Sequence, residues 1–458
     1  MFNPKSVAVI GATENVKKWF GFNITKNVLS FQAEKYLINR DKAEVFGFKT
    51  YKSVKDVSGP IDTVAIAIPA SSVPAAMEDC AAKDVKTAVI ITAGFKEADE
   101  GGAKLEEEIT RIARRAGIRF VGPNCVGIFD TESNFGLTPY LLPRRGNIGL
   151  ISQSGNLGGY MIRRGSDRGL GFSKFISSGN EADLNFVDYL EYLARDPKTR
   201  VIAAYIEGVK DGRRFLEVAK SVTKEKPVVL LKVGRTGSGS KAARSHTGAL
   251  AGSDSIYDAA FRQTGVLRVE EIEDLFDVVA ALTRQPIPKG KTVGVLTVGG
   301  GFGVIAADAC ERRGLPLPPL PPQTIEEMDL ILPSRWPRSN PVDMVGEASF
   351  ELYNIIDALF RADNIDSIIT SGGIGFLSSM ASGEEYERLM KMELERMEGL
   401  MKRMDEEEKP LLLAALSRNL ELVKELEKRG LFAYPTPERA AEVLSYMVKY
   451  GEYLRRHL

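Results

Sequence analysis

The chain contains two histidines, and only one of them lies away from a terminus. His457 is the penultimate residue, whereas His246 follows a segment, residues 234–245, that is rich in glycine, serine and basic side chains. Such a composition, without apolar periodicity, is typical of a mobile loop that passes anionic groups. A neutral imidazole can attack an activated phosphoryl or acyl group. The pattern indicates a histidine that carries a group, although a packing or surface role stays open for a lone histidine.

A second group of candidate residues lies where an apolar run ends and a helix pattern begins. These are the small polar residues Ser152, Ser154, Gly155 and Asn156, which follow the run that ends at Ile151. Free backbone amides at a helix start bind anions, and small side chains allow the anion to approach closely. The segment predicts a phosphate site, with an ordinary turn and a serine or asparagine helix cap as the competing interpretation.

Three other glycine segments match nucleotide-binding motifs only in part. Residues 11–13 lack the second and third glycines of a dinucleotide fingerprint, and residues 234–241 place their lysine one position too late for a P-loop. Residues 301–306 fit the pattern GxGxxA, but the stretch 315–320, which should end in a ribose-binding acid, contains none. An NAD site at residues 301–306 therefore stays only as an alternative.

Composition limits the classes of function that the chain can have. The 458 residues include 61 Lys+Arg and 61 Asp+Glu, so no net charge favours nucleic acid or an anionic membrane as a partner. No apolar run reaches the roughly 18 residues of a membrane span, and no signal-peptide pattern is present. The three cysteines form no CxxC pair, which argues against disulfides and a zinc site. We expect a cytoplasmic protein with no metal, nucleic-acid or membrane partner, and the abundant charged residues lean toward a thermophilic source.

Apolar β-branched runs alternate with helix patterns along the whole chain, which predicts an α/β fold with doubly wound parallel sheets. We predict three such domains, at residues 1–130, 146–287 and 290–458, with a loop over 131–145 between the first two. The predicted strands cover residues 6–11, 63–68, 87–92 and 118–121, then 148–151, 172–176, 201–206 and 228–233, then 292–298, 367–370, 411–415 and 432–434. Two long helices are expected over residues 100–116 and 384–408. Ligands of such sheets bind beyond the carboxyl ends of the strands, where the candidate residues above lie.

Five motifs occur in one order along nearly the whole chain. They are Thr92-Ala-Gly-Phe-Lys-Glu97, Gly122-Pro-Asn-Cys-Val-Gly127, Ile151-Ser-Gln-Ser-Gly-Asn156, Tyr205-Ile-Glu-Gly-Val-Lys-Asp211 and Ser245-His-Thr-Gly-Ala-Leu-Ala-Gly-Ser-Asp254. Together they resemble the α subunit of ADP-forming acyl-CoA (acetyl-CoA) synthetase, a branch of the succinyl-CoA synthetase superfamily. The resemblance implies a Rossmann-like CoA-binding domain followed by two flavodoxin-like ligase domains. It implies conversion of acyl-CoA, ADP and phosphate into free acid, CoA and ATP, through an acyl phosphate and a phosphohistidine.

The resemblance also implies roles for the candidate catalytic residues. His246 corresponds to the phosphorylated nucleophile, and Glu207 corresponds to the carboxylate that orients its imidazole. An acceptor on one ring nitrogen fixes the tautomer and raises the basicity of the other nitrogen. The phosphoryl group is expected between two helix starts, whose dipoles and free amides favour an anion. One start follows Ser152, Ser154, Gly155 and Asn156, and the other contains Gly300, Gly301, Phe302 and Gly303.

Contacts with CoA are implied at the ends of the strands of the first domain. The implied residues are Gly11, Ala12, Thr13, Asn39, Arg40, Lys42, Pro69, Gly94, Phe95 and Asn124. Arg40 and Lys42 are expected to meet the CoA phosphates, with a solvated loop as the alternative. Asn124 is expected near the thioester.

The nucleotide is expected on a different chain. No segment has the lysine, glycine loop and carboxylate cluster of an ATP-grasp domain, so ADP and Mg²⁺ are assigned to a partner. The implied assembly is an α2β2 heterotetramer with an ATP-grasp β subunit, in which this chain handles acyl-CoA and phosphate. Two other classes stay open, namely a non-catalytic CoA-binding sensor and an NAD-dependent dehydrogenase.

Overall fold

The computed structural model describes residues 1–239, 241, 253–346, 350–414 and 419–457. These residues form two compact units, Met1–Glu270 and Glu271–Leu458, and each is described by itself. Both units are built from parallel-rich sheets with helices between the strands, which confirms the predicted α/β class. In the ranges just given, every helix is too short or too polar to cross a membrane.

The first unit begins with a seven-stranded sheet in the order β3-β4-β2-β1-β5-β6-β7. Its strands are β1 (Ser6–Ile10), β2 (Glu34–Ile38), β3 (Glu44–Val45), β4 (Phe48–Tyr51), β5 (Thr63–Ile66), β6 (Thr87–Ile90) and β7 (Arg119–Val121). All neighbours are parallel except β3 and β4. The connecting helices are Trp19–Leu29, Val73–Ala82 and Glu100–Ala116, with 3-10 turns at Val54–Asp56 and Ala70–Ser72. Strands β1 and β5 are wholly buried, which explains why every residue after the first of each strand is apolar.

A second seven-stranded sheet of the same unit has the order β14-β13-β12-β10-β11-β8-β9. Its strands are β8 (Ile128–Asp130), β9 (Phe135–Leu137), β10 (Arg145–Ser152), β11 (Phe172–Ser177), β12 (Val201–Ile206), β13 (Val228–Lys232) and β14 (Leu267–Val269). Helices Gly155–Asp167, Phe186–Arg195, Gly212–Glu225 and Asp254–Thr264 connect the strands. One hydrophobic cluster includes Val9 of β1, Ile128 of β8 and Ile202 of β12, so the two sheets share a core.

The segment predicted as a loop over 131–145 contains part of this sheet instead. Strands β8 and β9 form an antiparallel hairpin that pairs with the edge of β11. Each has only three residues, which is too short for a pattern in the sequence to reveal a strand. Gly127 leads into the hairpin with φ of +89°, and a Cβ at this position would lie 1.7 Å from the Leu137 carbonyl oxygen. Only glycine fits where these two chain segments meet.

The second unit has a sheet in the order β16-β15-β17-β18-β19, as far as its described residues show. The strands are β15 (Val293–Thr297), β16 (Val342–Asp343), β17 (Ser367–Ser371), β18 (Leu411–Ala414) and β19 (Ala433–Tyr434), and all pairs are parallel. Its helices are Ile272–Arg284, Gly300–Glu311, Pro322–Asp329, Glu351–Arg361, Phe376–Ser379, Gly383–Glu407, Leu420–Lys428 and Pro437–His457.

The two compact units divide the chain earlier than the predicted boundary near residue 287. Helix Ile272–Arg284 packs against helix Pro437–His457 of the second unit. Arg439 of the latter helix forms ion pairs with Asp274 and with Asp277, the second at 2.5 Å. These contacts account for the division at Glu270, and the division of the chain into three domains stays a prediction.

Candidate functional site

A cavity of about 1030 Å³ lies in the first unit, at the carboxyl ends of its first sheet. Gly11 after β1, Asn39 after β2, Pro69 after β5 and Thr92 after β6 line one side of it. Residues of the second sheet line the other side, including Gly155 at the start of its helix. The cavity therefore extends from the strand ends of one sheet to the helix start that follows β10.

Seven of the ten residues predicted to contact CoA line this cavity. They are Gly11, Ala12, Thr13, Asn39, Arg40, Pro69 and Asn124. Gly11 has φ of +95°, and a Cβ there would lie 2.4 Å from the carbonyl oxygen of Ala67, so the turn after β1 requires glycine. The Asn39 amide donates a hydrogen bond to the carbonyl of Ala12 at 2.8 Å and thereby ties the ends of β1 and β2 together.

The structure does not bring Lys42, Gly94 and Phe95 to the cavity wall. Lys42 is turned toward Glu14, with 2.5 Å between Nζ and Oε1. The Phe95 side chain is fully buried in the core under the first sheet. Gly94 donates its N–H to the Glu97 carboxylate at 2.6 Å. All three residues shape the loops around the cavity from outside it.

Charged side chains gather along the cavity, and sequence reasoning missed most of them. Lys17, Lys18 and Lys52 line it together with Arg40. Two adjacent lysines, at positions 17 and 18 in the loop after β1, are the signal in the sequence that could have predicted this positive charge. Among the lining acids, Asp79 is already paired, because Ser53 Oγ and Lys55 Nζ each lie 2.7 Å from its carboxylate. A cavity with an excess of cations suits a ligand with several phosphates.

The contacts with Lys55 and Ser53 keep the carboxyl group of Asp79 ionised. Burial on its own raises the pKa of Asp79, but the hydrogen bonds from Lys55 and Ser53 and the nearby positive charges outweigh burial and lower it. The Asp79 carboxylate consequently stays ionised at neutral pH, and Lys55 offsets its charge.

The helix Gly155–Asp167 starts at the inner end of the cavity. Gln153, Ser154, Gly155 and Asn156 all line it, whereas Ser152 is buried and donates its hydroxyl hydrogen bond to the Ser154 carbonyl at 2.6 Å. Ser154 is also the helix cap, because its Oγ accepts a hydrogen bond from the N–H of Leu157 at 3.4 Å. The cap and an exposed helix start occur together here, so the two interpretations of the segment do not exclude each other.

Gly155 cannot be replaced by a larger residue without movement of its surroundings. A Cβ at Gly155 would lie 2.5 Å from Cγ1 of Val126, which also lines the cavity. The loop that carries Val126 thus packs directly on the first turn of the helix. This packing places the segment containing Asn124 beside the helix start, where the resemblance expects thioester and phosphate to meet.

Cys125 lies in the same loop and lines the cavity, but its thiol is a poor nucleophile. The side chain is buried, its Sγ lies 3.3 Å from the Ile90 carbonyl oxygen, and burial raises the pKa of the thiol to about 12. A thiol with that pKa carries almost no thiolate at neutral pH. The geometry therefore gives no support to a covalent role for Cys125.

Glu207 follows β12 and lies next to the segment that leads into the helix start. Its N–H donates a hydrogen bond to Oε1 of Gln153 at 2.5 Å. Ser152 and Tyr205 are register partners in β10 and β12, so the residues just after them meet at the same sheet edge. Burial and the charge of Glu207 raise the pKa of Tyr205 to about 12. The structure thus brings Glu207 and the predicted phosphate segment together.

Two parts of the predicted phosphohistidine site are not part of this geometry. His246 lies outside the described residues. Gly300, Gly301, Phe302 and Gly303 form the start of helix Gly300–Glu311 in the second unit, where Gly299 is the cap residue and the Phe302 side chain is exposed. A pairing of the two helix starts around one phosphoryl group stays a prediction.

Comparison with known proteins agrees with this geometry. Residues 5–131 match a family described as a CoA binding domain, and residues 145–282 match the succinyl-CoA ligase like flavodoxin domain. The α subunit of acetate–CoA ligase [ADP-forming] II from Pyrococcus furiosus is 43% identical over 452 residues, which are 98% of this chain and 96% of that protein. The chain belongs to the ADP-forming acetate–CoA ligase family.

Other members of the family support the same fold. A structure of the dinucleotide forming acetyl-coenzyme A synthetase 1 from Ca. Korarchaeum cryptofilum, in complex with phosphate and ADP, matches with a TM-score of 0.87 and 34% identity. That match covers 100% of this chain and 98% of the other. Acetate–CoA ligase [ADP-forming] I of Archaeoglobus fulgidus is 44% identical over 81% of this chain, but the match spans only 54% of that longer protein.

Proposed function

We propose that the chain is the α subunit of an ADP-forming acyl-CoA synthetase and carries out the half-reaction that leads to a phosphohistidine. The observation that carries this proposal is a single cavity that joins a basic, Rossmann-like strand edge to a helix start beside Glu207. Family membership supports the same reaction. The complete enzyme converts acyl-CoA, ADP and phosphate into carboxylic acid, CoA and ATP.

The first step joins phosphate to the acyl group. Arg40, Lys17, Lys18 and Lys52 hold the anionic part of CoA, and the pantetheine extends toward Asn124. An oxygen of phosphate, held at the start of helix Gly155–Asp167, attacks the thioester carbonyl. The C–S bond breaks, the thiolate of CoA leaves, and an acyl phosphate forms. Backbone amides and the dipole of the helix start stabilise the phosphoryl oxygens during this step.

The second step moves the phosphoryl group to His246. A ring nitrogen of the neutral imidazole attacks phosphorus, the P–O bond to the acyl group breaks, and the carboxylate leaves. Glu207 accepts a hydrogen bond from the other ring nitrogen, so it fixes the tautomer and stabilises the positive charge that develops on the ring. The phosphohistidine then delivers its phosphoryl group to ADP.

The final delivery requires residues that we assign to a partner. We propose an ATP-grasp β subunit that holds ADP and Mg²⁺, in an α2β2 assembly. Two facts support a partner: a relative of similar length is named an α subunit, and the Archaeoglobus fulgidus relative, of which the match spans only 54%, is longer than this chain. We place the enzyme in the cytoplasm, since its three cysteines are buried and free, as is typical of proteins in reducing compartments.

Incubation of the purified chain with acetyl-CoA and labelled phosphate tests the half-reaction directly. We expect acid-labile label at His246, with release of acetate and CoA, and no ATP when ADP and Mg²⁺ are added without the partner. Label without a partner is expected because, under this proposal, the chain itself binds acyl-CoA and phosphate and contains the acceptor histidine. Addition of the partner with ADP should discharge the label into ATP.

Three results of this experiment separate the alternatives. ATP formed by the chain alone contradicts the assignment of ADP to a partner. CoA binding without any label, even with the partner present, identifies a CoA-binding sensor. Binding of NAD by the chain, with no label from phosphate, identifies a dehydrogenase.

A second prediction concerns the phosphates of CoA. Arg40 follows β2, the strand end that in Rossmann-like domains contacts the ribose, where an acid favours a free hydroxyl and an arginine favours a phosphate. Arg40→Ala is expected to weaken CoA binding by about 10- to 100-fold, the loss of one or two charge-assisted hydrogen bonds. Calorimetry with CoA and with dephospho-CoA measures the effect. Dephospho-CoA lacks the ribose phosphate, so the substitution should weaken its binding much less.

The matched control is Lys49→Ala, which removes the same charge from an exposed strand residue that does not line the cavity. Lys49 Nζ lies 5.2 Å from the Tyr51 ring centre, so the substitution disturbs only a surface contact. We expect CoA affinity within about twofold of the original chain, a surface charge effect. Equal losses for CoA and dephospho-CoA in Arg40→Ala would assign Arg40 to the pyrophosphate instead.

A further inference from the structure

We infer that Gln153 is a positioning residue for phosphoryl transfer, because its side-chain amide holds the Glu207 backbone beside the helix start. The inference rests on the proposed function and adds a residue to it. Gln153 is the only residue of the segment 152–156 that was not among the predicted site residues, and it lies between Ser152 and the helix cap Ser154.

The amide of Gln153 uses its full hydrogen-bonding capacity on the end of β12. Its Oε1 accepts from the N–H of Glu207 at 2.5 Å and from the N–H of Gly208 at 3.1 Å. Its Nε2 donates to the carbonyl of Gly208 at 2.9 Å and to the Glu181 carboxylate at 3.0 Å. An amide offers two acceptor sites and two donors, and all four are satisfied here. The orientation of the amide is thus fixed, because the reversed orientation would set N–H groups against N–H groups.

The backbone N–H of Gln153 adds a second attachment to β12. It donates to the carbonyl of Tyr205 at 3.1 Å. The main chain of Gln153 therefore binds Tyr205, and its side chain binds the backbone of Glu207 and Gly208. Glu207 has little freedom to move away from the start of helix Gly155–Asp167 while these contacts persist.

Glu181, the fourth partner of the amide, is itself held in place. It is buried, with only 4% of its surface exposed, and its backbone adopts a left-handed conformation with φ of +55°. Lys210 Nζ donates to the carbonyls of Glu181 and Asn180. A non-glycine residue in this conformation persists only where its surroundings determine it. The far end of the Gln153 amide is consequently attached to a rigid group.

The same cluster extends to the loop after β6. The side-chain amide of Asn180 donates to Glu97 at 2.5 Å and to Glu106 at 2.8 Å, and Glu97 accepts the N–H groups of Gly94 and Phe95. Lys96 Nζ donates to the Asn180 carbonyl at 2.6 Å. The loop that borders the CoA cavity and the carboxylate segment beside it are therefore fixed to one polar cluster, with Gln153 as its link to Glu207.

A glutamate at position 153 has the right size but the wrong chemistry. An ionised carboxylate still accepts the N–H groups of Glu207 and Gly208, but its second oxygen faces the Gly208 carbonyl and the Glu181 carboxylate, where a donor is required. A protonated carboxyl group restores one donor. The Gln153→Glu variant should therefore depend on pH in a way that a purely steric change does not.

The test uses the full chain, acetyl-CoA and labelled phosphate, with the rate of histidine labelling and the CoA dissociation constant as readouts. Gln153→Met, which keeps the length of the side chain without its hydrogen bonds, is expected to slow labelling by about 10- to 100-fold, the range for a misplaced catalytic group. The CoA dissociation constant should stay within about threefold, because no cavity charge changes. Gln153→Glu is expected to regain rate, relative to the original chain, as the pH falls from about 8 to about 6.

Gln285→Met provides the matched control. Gln285 is a buried glutamine of the second unit whose Oε1 accepts the N–H of Leu411 at 2.9 Å. This variant also loses a glutamine amide that accepts a backbone N–H, but one far along the chain from Glu207, and it should keep the original labelling rate and pH profile.

The outcomes separate the inference from the proposed function. Absence of label in the unmodified chain with its partner contradicts the proposed function itself. If the unmodified chain is labelled, the positioning role is overturned when both Gln153 variants have the labelling rate and the pH profile of the unmodified chain. A joint loss of labelling and of CoA affinity also overturns it, since Gln153 would then maintain the cavity and not the position of Glu207.

Discussion

His246→Ala should eliminate the phosphorylated form of the chain while CoA binding continues. Removal of a nucleophile that forms a covalent intermediate costs at least about 10³-fold in rate, because no neighbouring group takes over the bond. His246 is the only histidine of the chain that is not next to a terminus. Labelled phosphate with acetyl-CoA measures the intermediate as acid-labile, base-stable label, and calorimetry measures CoA affinity, which should stay unchanged.

The second histidine supplies the control. In the structure His457 Nδ1 lies 2.9 Å from the Tyr453 carbonyl oxygen, and its ring stacks on the Tyr453 ring at 4.4 Å between centres. Both contacts are with a residue one turn earlier in the same helix, and they indicate a packing role for His457. His457→Ala should therefore be labelled as fast as the original chain. Label retained in His246→Ala, or lost only in His457→Ala, would contradict the carrier assignment.

The fold was predictable wherever a strand is long and buried on both faces. Strands β1, β12 and β15 appear in the sequence as predominantly apolar runs, and each is fully buried in the structure. Helix Glu100–Ala116 was also predictable at both ends, because Asp99 caps its start and Gly117 ends it in a left-handed conformation. Such signals are local, so a single sequence is enough to detect them.

The site was less predictable where its contacts join distant parts of the chain. The hydrogen bonds between Gln153 and the Glu207–Gly208 backbone span 54 and 55 residues, and no pattern around either segment encodes them. The direction in which a side chain points is a second feature of the site that the sequence does not reveal. Arg40 and Lys42 both carry a positive charge and lie two residues apart, but only Arg40 reaches the cavity, since Lys42 pairs with Glu14.

Glu207→Gln is the second substitution with a large expected effect. The amide is of equal size and keeps the backbone hydrogen bond to Gln153, but it lacks the negative charge to which we assign stabilisation of a positively charged imidazole. We expect transfer of the phosphoryl group to His246 to slow by about 10²-fold, the lower range for a group that assists proton handling. Single-turnover labelling measures the rate, and CoA affinity should stay unchanged, because Glu207 does not line the cavity.

Glu217→Gln is the matched control, since Glu217 lies on the next helix, 69% of its side chain is exposed, and its Oε1 lies 3.6 Å from Nε of Arg213. It should leave the rate unchanged, and an equally fast Glu207→Gln would make Glu207 an ordinary solvated acid.

Combining the two positions decides how Gln153 and Glu207 are related. If Gln153 acts by holding the Glu207 carboxylate near the imidazole, then Gln153→Met should cost little once Glu207→Gln has already removed that carboxylate. The double variant should then label His246 nearly as fast as Glu207→Gln alone, a strong departure from additivity. Fully additive losses would mean that the two residues assist transfer independently. In that case the charge of Glu207 would still act on the imidazole, but its position would not depend on the amide that binds its backbone.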